Sequence, residues 1–207
     1  MLKGKEIITI IIALLALAFS NAFINGDLFV KSLFIFAIIL IVHITAKKLT
    51  AYFYEAEEEI KIWTFQRYGF YRRSYLRTPV PIGIILAFFL SLISSGNIPW
   101  FAVTESEIKP TVARAARRHD YYSFLEMSEW NLALVSAFGI GSIIVLSIFA
   151  YLLNFPDLAR AAIYFACFNM LPLGKLDGTR LFFGSRMLYA ILAVLCLIGL
   201  GYALLLV

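Results

Sequence analysis

Charged residues are scarce in this sequence. Of its 207 residues, 15% are Asp, Glu, Lys or Arg and 62% are hydrophobic, and the mean hydropathy is +0.87. A soluble domain is about half apolar and about a quarter charged. The few charges are also clustered, which leaves long stretches that carry none. The composition therefore excludes a soluble globular domain and predicts an integral membrane protein.

Cysteine is also rare, and the positive charge is not concentrated in one place. Cys167 and Cys196 both fall within apolar stretches, which favours packing residues over a disulfide or a metal-binding pair. The formal net charge is +5, but the cations are spread over several polar segments. This distribution suits the anionic headgroups of a lipid bilayer and does not resemble a nucleic-acid-binding face. The bilayer is therefore an expected partner, and nucleic acid is not.

Six stretches predict membrane-spanning helices, because about 20 apolar residues cross the hydrocarbon layer as a helix. Their approximate bounds are 7–26, 28–47, 79–99, 130–155, 158–174 and 187–206. The fifth stretch has only 14 consecutive residues without charge, so it either crosses at a tilt or is broken. The alternative is therefore five spans. The fold class predicted is an α-helical polytopic membrane protein with one membrane domain over residues 1–207.

The N-terminal stretch and the distribution of cations bear on topology. The first apolar stretch is longer than that of a signal peptide and ends in Asn-Gly-Asp, which predicts a retained helix. Positive loops tend to stay in the cytoplasm. With the N-terminus inside, ten cations fall on the cytoplasmic side and eight on the other side. This bias predicts that both termini are cytoplasmic and that the chain is integral to the cell (plasma) membrane.

Two polar segments outside the spans, 50–78 and 105–129, are long enough to have structure. The first contains a run of isoleucines and aromatics, Ile60 to Tyr71, which predicts one or two strands, such as a hairpin. An aromatic belt at headgroup depth is the alternative, and it is compatible with strands. The second contains the basic run Ala113 to His119, which is either a short surface helix or a strand after Pro110. Its expected role is electrostatic anchoring to the membrane.

Ionisable residues inside or next to the spans are candidates for function, because burying a charge in a membrane is costly. His43 and Lys47 are four residues apart in the second span, so they share one face of a helix. Asp177 follows the fifth span, in a segment that Pro172 and two glycines keep from being a regular helix. Irregular backbone at membrane depth is tolerated where it is buried in protein or lines a wet cavity. These residues therefore predict a central polar cluster of His43, Lys47 and Asp177.

In these segments the chain resembles the site-2 proteases, which are intramembrane zinc metalloproteases. That family carries an H-E-x-x-H motif in an early span and a later N-x-x-P-x-x-x-L-D-G segment that supplies the third zinc ligand. The later segment is matched by Asn169, Pro172, Leu176, Asp177 and Gly178. The stretch Ser128 to Ser142 lies where the family begins another helix, although the family's proline is missing, and a strand-rich insert follows the first motif. The resemblance covers about residues 41 to 186 and implies a site-2-protease-like core.

The first motif is incomplete, and this changes the function that the resemblance implies. The place of the catalytic glutamate is taken by Ile44, and the place of the second zinc histidine is taken by Lys47. Only His43 and Asp177 remain as zinc ligands, whereas a catalytic zinc normally keeps three. The closest acidic residues to this motif, Glu55 and Glu57, lie beyond the predicted helix end. No catalytic residue is intact, a metal site is doubtful, and no cofactor is expected.

Two interpretations of Lys47 remain open. In the first, Lys47 and Asp177 form an ion pair where zinc would lie, with His43 hydrogen-bonded nearby. In the second, Lys47 and Lys48 extend to the cytoplasmic headgroups and His43 is an ordinary polar core residue. The first interpretation keeps the two helices together without a metal ion.

The predicted function is that of a catalytically inactive pseudoprotease that binds a membrane client or a partner subunit. The strands could pair with an extended client, and small residues could allow another helix to approach. These small residues are Gly139, Gly141, Ser142 and Ser147. The alternative is a divergent active zinc metalloprotease with an unrecognised ligand set. A transporter is disfavoured because no inverted repeat is visible.

Overall fold

The computed structural model describes residues 4–23, 26–67, 75–96, 99–111 and 127–205. These ranges contain seven helices: α1 (Gly4–Asn21), α2 (Phe29–Phe53), α3 (Ile82–Ile93), α4 (Glu129–Leu152), α5 (Pro156–Asn169), α6 (Asp177–Gly184) and α7 (Arg186–Leu205). They also contain four strands: β1 (Ala56–Ile62), β2 (Phe65–Arg67), β3 (Tyr75–Val80) and β4 (Thr104–Pro110). A 3-10 turn, Gly26–Leu28, precedes α2. The fold is therefore mostly helical, with short strands between helices.

Among the residues that the structure describes, four helices are long and apolar enough to cross a membrane: α1, α2, α4 and α7. Their most apolar windows have mean hydropathies of 1.6, 2.3, 2.4 and 2.5. They match four of the six spans that the sequence predicts, and they identify the chain as an integral membrane protein. One boundary differs, because α2 continues to Phe53 instead of ending at Lys47 and Lys48. Lys47 is therefore well inside a helix rather than at its end.

The other two predicted spans contain shorter helices. In the stretch 79–99, α3 has 12 residues, and in the stretch 158–174, α5 has 14 residues. At 1.5 Å per residue these helices are about 18 and 21 Å long, whereas the hydrocarbon core is about 30 Å thick. The physical reasons are local. Strand β3 takes the first residues of the third stretch, and α5 ends at Asn169, before Pro172.

The predicted strands are present, but their pairing is not a single local hairpin. Strand β1 pairs with β4, which is more than 40 residues away along the chain, and β2 pairs with β3. The β2–β3 pair is antiparallel, with Phe65 opposite Val80 and an irregular register between Phe65 and Arg67. Residues 68–71 of the predicted hairpin and the basic run 113–119 lie outside the described residues. Trp63, which the aromatic-belt interpretation would place at the membrane surface, is buried and stacks on Trp100 with ring centroids 6.2 Å apart.

The chain forms two compact units. The first contains Met1–Phe36 and Ile60–Glu105, and the second contains Ala37–Glu59 and Ser106–Val207. In the first unit α1 packs against α3, where the hydroxyl oxygens of Ser20 and Ser91 are 3.0 Å apart. The prediction of a single membrane domain stays a prediction, since α2, β1 and β4 each contribute residues to both units.

In the second unit α4 packs against α5, α6 and α7. Two glycines allow α6 to lie close to its neighbours. A Cβ atom at Gly178 would collide with the carbonyl oxygen of Met170 at the end of α5. A Cβ atom at Gly184 would collide with the carbonyl oxygen of Glu129 at the start of α4. The short helix α6, which begins with Asp177, is thereby held at both ends.

Candidate functional site

Helix α2 supplies the first two residues of the candidate site. His43 and Lys47 are one turn apart and lie on the same face of the helix. Both are buried, and Lys47 has 3% of its surface exposed. A lysine that reached the headgroups would keep its ammonium in water. The burial of Lys47 therefore favours the ion-pair interpretation over the headgroup interpretation.

Asp177 is the partner of Lys47. The Lys47 ammonium Nζ lies 2.6 Å from Oδ2 and 2.7 Å from Oδ1 of Asp177, which is also buried. The pair that the sequence suggested is thus formed, and the ammonium contacts both carboxylate oxygens. Removing one member of a buried pair leaves the other charge unpaired in a medium that solvates it poorly. The pair therefore fixes where α2 and α6 meet.

His43 completes the predicted cluster. Its Nε2 atom lies 3.3 Å from Oδ2 of Asp177, and its Nδ1 atom lies 3.2 Å from the carbonyl oxygen of Gly139. Both neighbours are acceptors, and a neutral imidazole has one N–H. A neutral His43 therefore donates to one of them at a time. The ring also meets Phe165 edge-on, with centroids 5.3 Å apart.

Sequence reasoning missed two residues of this cluster, Glu58 and Ser106. The Lys47 ammonium donates to the hydroxyl of Ser106 over 2.7 Å, and Ser106 donates to Oε1 of Glu58 over 2.6 Å. The ammonium is also 3.9 Å from Oε1 of Glu58. The sequence analysis named Glu55 and Glu57 as the closest acidic residues and placed them beyond the helix end, and the position of Glu58 shows that this prediction is wrong. Strand β1 brings Glu58 back to Lys47.

A signal for Glu58 is present in the sequence. Side chains in a strand alternate between its two faces. In β1 the residues Ala56, Glu58 and Ile60 are buried, whereas Glu57 is exposed. The alternation places Glu58 on the apolar face, and a carboxylate on such a face indicates a buried polar contact.

Burial dominates the electrostatics of Glu58. Loss of solvent raises the pKa of Glu58 above its ordinary value of 4.5, although the Lys47 charge and the Ser106 hydrogen bond act in the opposite direction. Its Oε2 atom is buried and has no hydrogen-bond partner within the described ranges. Both observations favour a protonated Glu58. The charges of Lys47 and Asp177 then balance within the cluster.

Helix α4 forms another wall of the cluster. The Ser136 hydroxyl donates to Oδ1 of Asp177 over 3.3 Å. A Cβ atom at Gly139 would lie 2.8 Å from both Cγ and Cε of Lys47, so glycine makes room for the lysine. The sequence assigned Gly139 to the approach of another helix, and the structure places it against α2 of its own chain. Gly141 has open space where a Cβ atom would be.

The remaining residues of the later motif lie at the end of α5 and in the connection to α6. Asn169 is buried, and its amide donates to the carbonyl oxygen of Phe165 over 2.9 Å. Pro172 is exposed in the irregular segment between α5 and α6. Ile44, in the place of the family's glutamate, is buried. Asn169, Pro172 and Ile44 offer no group for acid–base chemistry, because a carboxamide, a pyrrolidine ring and an aliphatic side chain do not titrate.

The residues present do not fit the zinc ion that the resemblance implies. Lys47 places a positive charge against both oxygens of Asp177, at the position where a second histidine would coordinate the metal. Among the described residues, no group of three or more His, Cys, Asp and Glu side chains is arranged to hold a metal ion. A catalytic zinc site normally has three protein ligands. The arrangement is that of an ion-paired link between helices.

A double-mutant cycle tests that link. Lys47→Met leaves Asp177 buried without its counterion, so we expect it to lower the free energy of unfolding by about 3–5 kcal/mol. Asp177→Leu should also destabilise the protein, whereas the double variant should recover much of the combined loss. Unfolding by denaturant in detergent micelles measures all four proteins. Lys48→Met is the matched control. If the losses of the single variants simply add, the pair makes no coupled contribution.

The pH dependence of stability tests Glu58. Its pKa is raised in the folded protein, so between 4.5 and that higher value the folded state binds more protons than the unfolded state. Stability contributed by protonated Glu58 is therefore present at low pH and falls as the pH rises through this window. We expect Glu58→Gln to remove this fall, and Glu57→Gln at an exposed site to retain it. Equal pH profiles for the wild type and Glu58→Gln would contradict this prediction.

Comparison with known proteins gives no relative. No family model matches the chain, and neither a curated protein nor a solved structure does. The resemblance to the site-2 proteases therefore rests on the order and spacing of the motif residues alone.

Proposed function

We propose that this chain is a catalytically inactive, site-2-protease-like membrane protein that binds a membrane client or a partner helix. One observation carries the proposal: the Lys47 ammonium contacts both oxygens of Asp177, where the resemblance places zinc. The rest of the proposed topology is a six-span core in the cell membrane with both termini in the cytoplasm. In it, α3 and α5 are the two short crossings.

The loss of catalysis follows from what hydrolysis requires. A zinc protease polarises a water molecule with the metal and removes a proton from it with a general base. Here Ile44 replaces the base of the family, and Lys47 repels a metal cation. Glu58 is a carboxylate close to the cluster, but it accepts a hydrogen bond from Ser106, and its raised pKa favours the protonated form. A protonated carboxyl group is not a general base.

The binding half of the proposal is supported by the resemblance and by helix α4. Site-2 proteases hold a client transmembrane helix near the motif segments. On α4, Gly139 packs against Lys47 of the same chain. A Cβ atom at Gly141, by contrast, would have open space around it. Small residues allow two helices to approach closely in a membrane. We therefore assign the approach of a client helix to the surface around Gly141.

Reconstitution in liposomes with a labelled single-span helix tests both halves. We expect the wild type to form a crosslink from a photoreactive residue at position 141 to the helix, to leave the helix uncut, and to hold far less than one zinc per chain. The double substitution Ile44→Glu and Lys47→His rebuilds the family's first motif. It should therefore raise the zinc content toward one per chain, measured by elemental analysis.

His43→Ala in the rebuilt variant is the matched control and should lower the zinc content again. Near one zinc per wild-type chain, lost on His43→Ala and accompanied by cleavage, would establish the alternative of an active protease. Absence of a crosslink at position 141, with an equally low signal from a lipid-facing position such as Ile191, would contradict the client-binding half. These two results are independent of each other.

A further inference from the structure

A second feature of the second unit lies apart from the charged cluster. It is a partly open cavity of about 320 Å³ lined by α4, α5 and α7. Its walls are mostly aliphatic and include Ile144, Ile148, Ile163, Leu195 and Ile198. Pockets that hold small ligands have volumes of about 300–1,000 Å³. The cavity is therefore large enough for part of a ligand, and its walls suit a hydrocarbon chain.

Arg160 brings a charge to the mostly apolar lining of the cavity. Its Nε atom is buried, and within the described part of the chain this N–H has no hydrogen-bond partner. A buried donor without an acceptor costs about 1–3 kcal/mol, and more when the group is charged. A guanidinium group binds carboxylate and phosphate oxyanions well, because its planar fork of N–H donors matches their geometry. Arg160 as a whole is only half-buried and lines the cavity, so its positive charge is available to an anionic ligand there.

Two tyrosines lie on the same cavity. Tyr151 at the end of α4 and Tyr202 near the end of α7 both line it, and their rings meet edge-on with centroids 5.0 Å apart. Tyrosine is enriched where a membrane meets water, because its ring is apolar and its hydroxyl is polar. Arg160 lies in the second turn of α5, close in sequence to the α4–α5 connection. For an α4 that spans the bilayer, this polar end of the cavity lies at headgroup depth.

We propose that this cavity binds an anionic phospholipid, with an acyl chain between α4, α5 and α7 and the phosphate at Arg160. Charge complementarity and the apolar walls select the occupant, since a lipid joins a negative group to a hydrocarbon chain. In the orientation expected from the loop charges, Arg160 faces the cytoplasmic leaflet. That leaflet holds the anionic lipids, and basic pockets between helices on that side bind their headgroups. The leaflet assignment rests on the topology given under the proposed function, whereas the fit of an anionic lipid to Arg160 and the apolar walls does not depend on it.

Native mass spectrometry of the full chain released from nanodiscs tests the proposal. The nanodiscs contain equal amounts of phosphatidylglycerol and phosphatidylcholine. We expect the wild type to retain phosphatidylglycerol preferentially. One arginine near a membrane surface contributes about a fivefold preference for anionic lipid, so Arg160→Gln should reduce the ratio of the two bound lipids by about fivefold. Arg186→Gln removes the same charge at the start of α7 and should leave the ratio unchanged.

A second pair of variants tests the acyl half of the site. Ile198 lines the cavity and is exposed enough to accept a larger side chain, so Ile198→Trp should fill the space and release both lipids. Ile191→Trp, on α7 outside the cavity lining, is the matched control. Glycerol phosphate, which lacks acyl chains, should not displace the bound lipid.

Three results would overturn the proposal. The first is equal retention of the two lipids by the wild type. The second is an Arg160→Gln ratio equal to that of Arg186→Gln. The third is a photoreactive group at Ile198 that crosslinks a co-reconstituted single-span helix rather than lipid, because the cavity would then hold protein.

Discussion

The buried ion pair between Lys47 and Asp177 is the interaction on which this structure depends. A lysine ammonium and a carboxylate, each nearly inaccessible to solvent, meet at 2.6 Å in a chain that has few charges. Each member makes the burial of the other tolerable, because an isolated charge in a medium of low dielectric constant is poorly solvated. The pair does not have to add stability relative to an apolar contact. Its effect is to specify one arrangement of α2 and α6.

The residues around the pair satisfy the need of two buried charges for hydrogen bonds and space. The hydroxyls of Ser106 and Ser136 occupy the remaining hydrogen-bonding positions of Lys47 and Asp177. Gly139 leaves space for the lysine stem. Glu58 extends the network through Ser106, and burial shifts this carboxyl toward its neutral form. The result is a polar centre in which the Lys47 ammonium contacts the Asp177 carboxylate.

Four of the helices and the central cluster could be predicted from the sequence. Four long charge-free runs predicted α1, α2, α4 and α7, because length and composition alone decide such helices. The spacing of His43 and Lys47, together with the order of the motifs, brought Asp177 to the same place. The lengths of α3 and α5 were not predictable from the absence of charge, since an uncharged stretch also includes strand and irregular backbone.

The features that the sequence did not predict depend on contacts between distant parts of the chain. Strand β1 pairs with β4, and the two strands lie on either side of α3 in the sequence. A local sequence pattern predicts a strand but not its pairing partner. Glu58 was overlooked for this reason, although the alternation of β1 marks it as facing inward. The stacking of Trp63 on Trp100 is another nonlocal contact, and it buries a residue that composition alone assigns to the membrane surface.

The most direct test of the central claim is an anomalous difference map, measured at the zinc absorption edge from crystals grown with excess zinc. The account predicts no zinc peak between His43 and Asp177, with the side chain of Lys47 extending to the Asp177 carboxylate. A peak at about 2.0–2.2 Å from His43 Nε2 and an Asp177 oxygen, with Lys47 turned away, would contradict it. In that case the ion pair would belong only to the metal-free form of a zinc site.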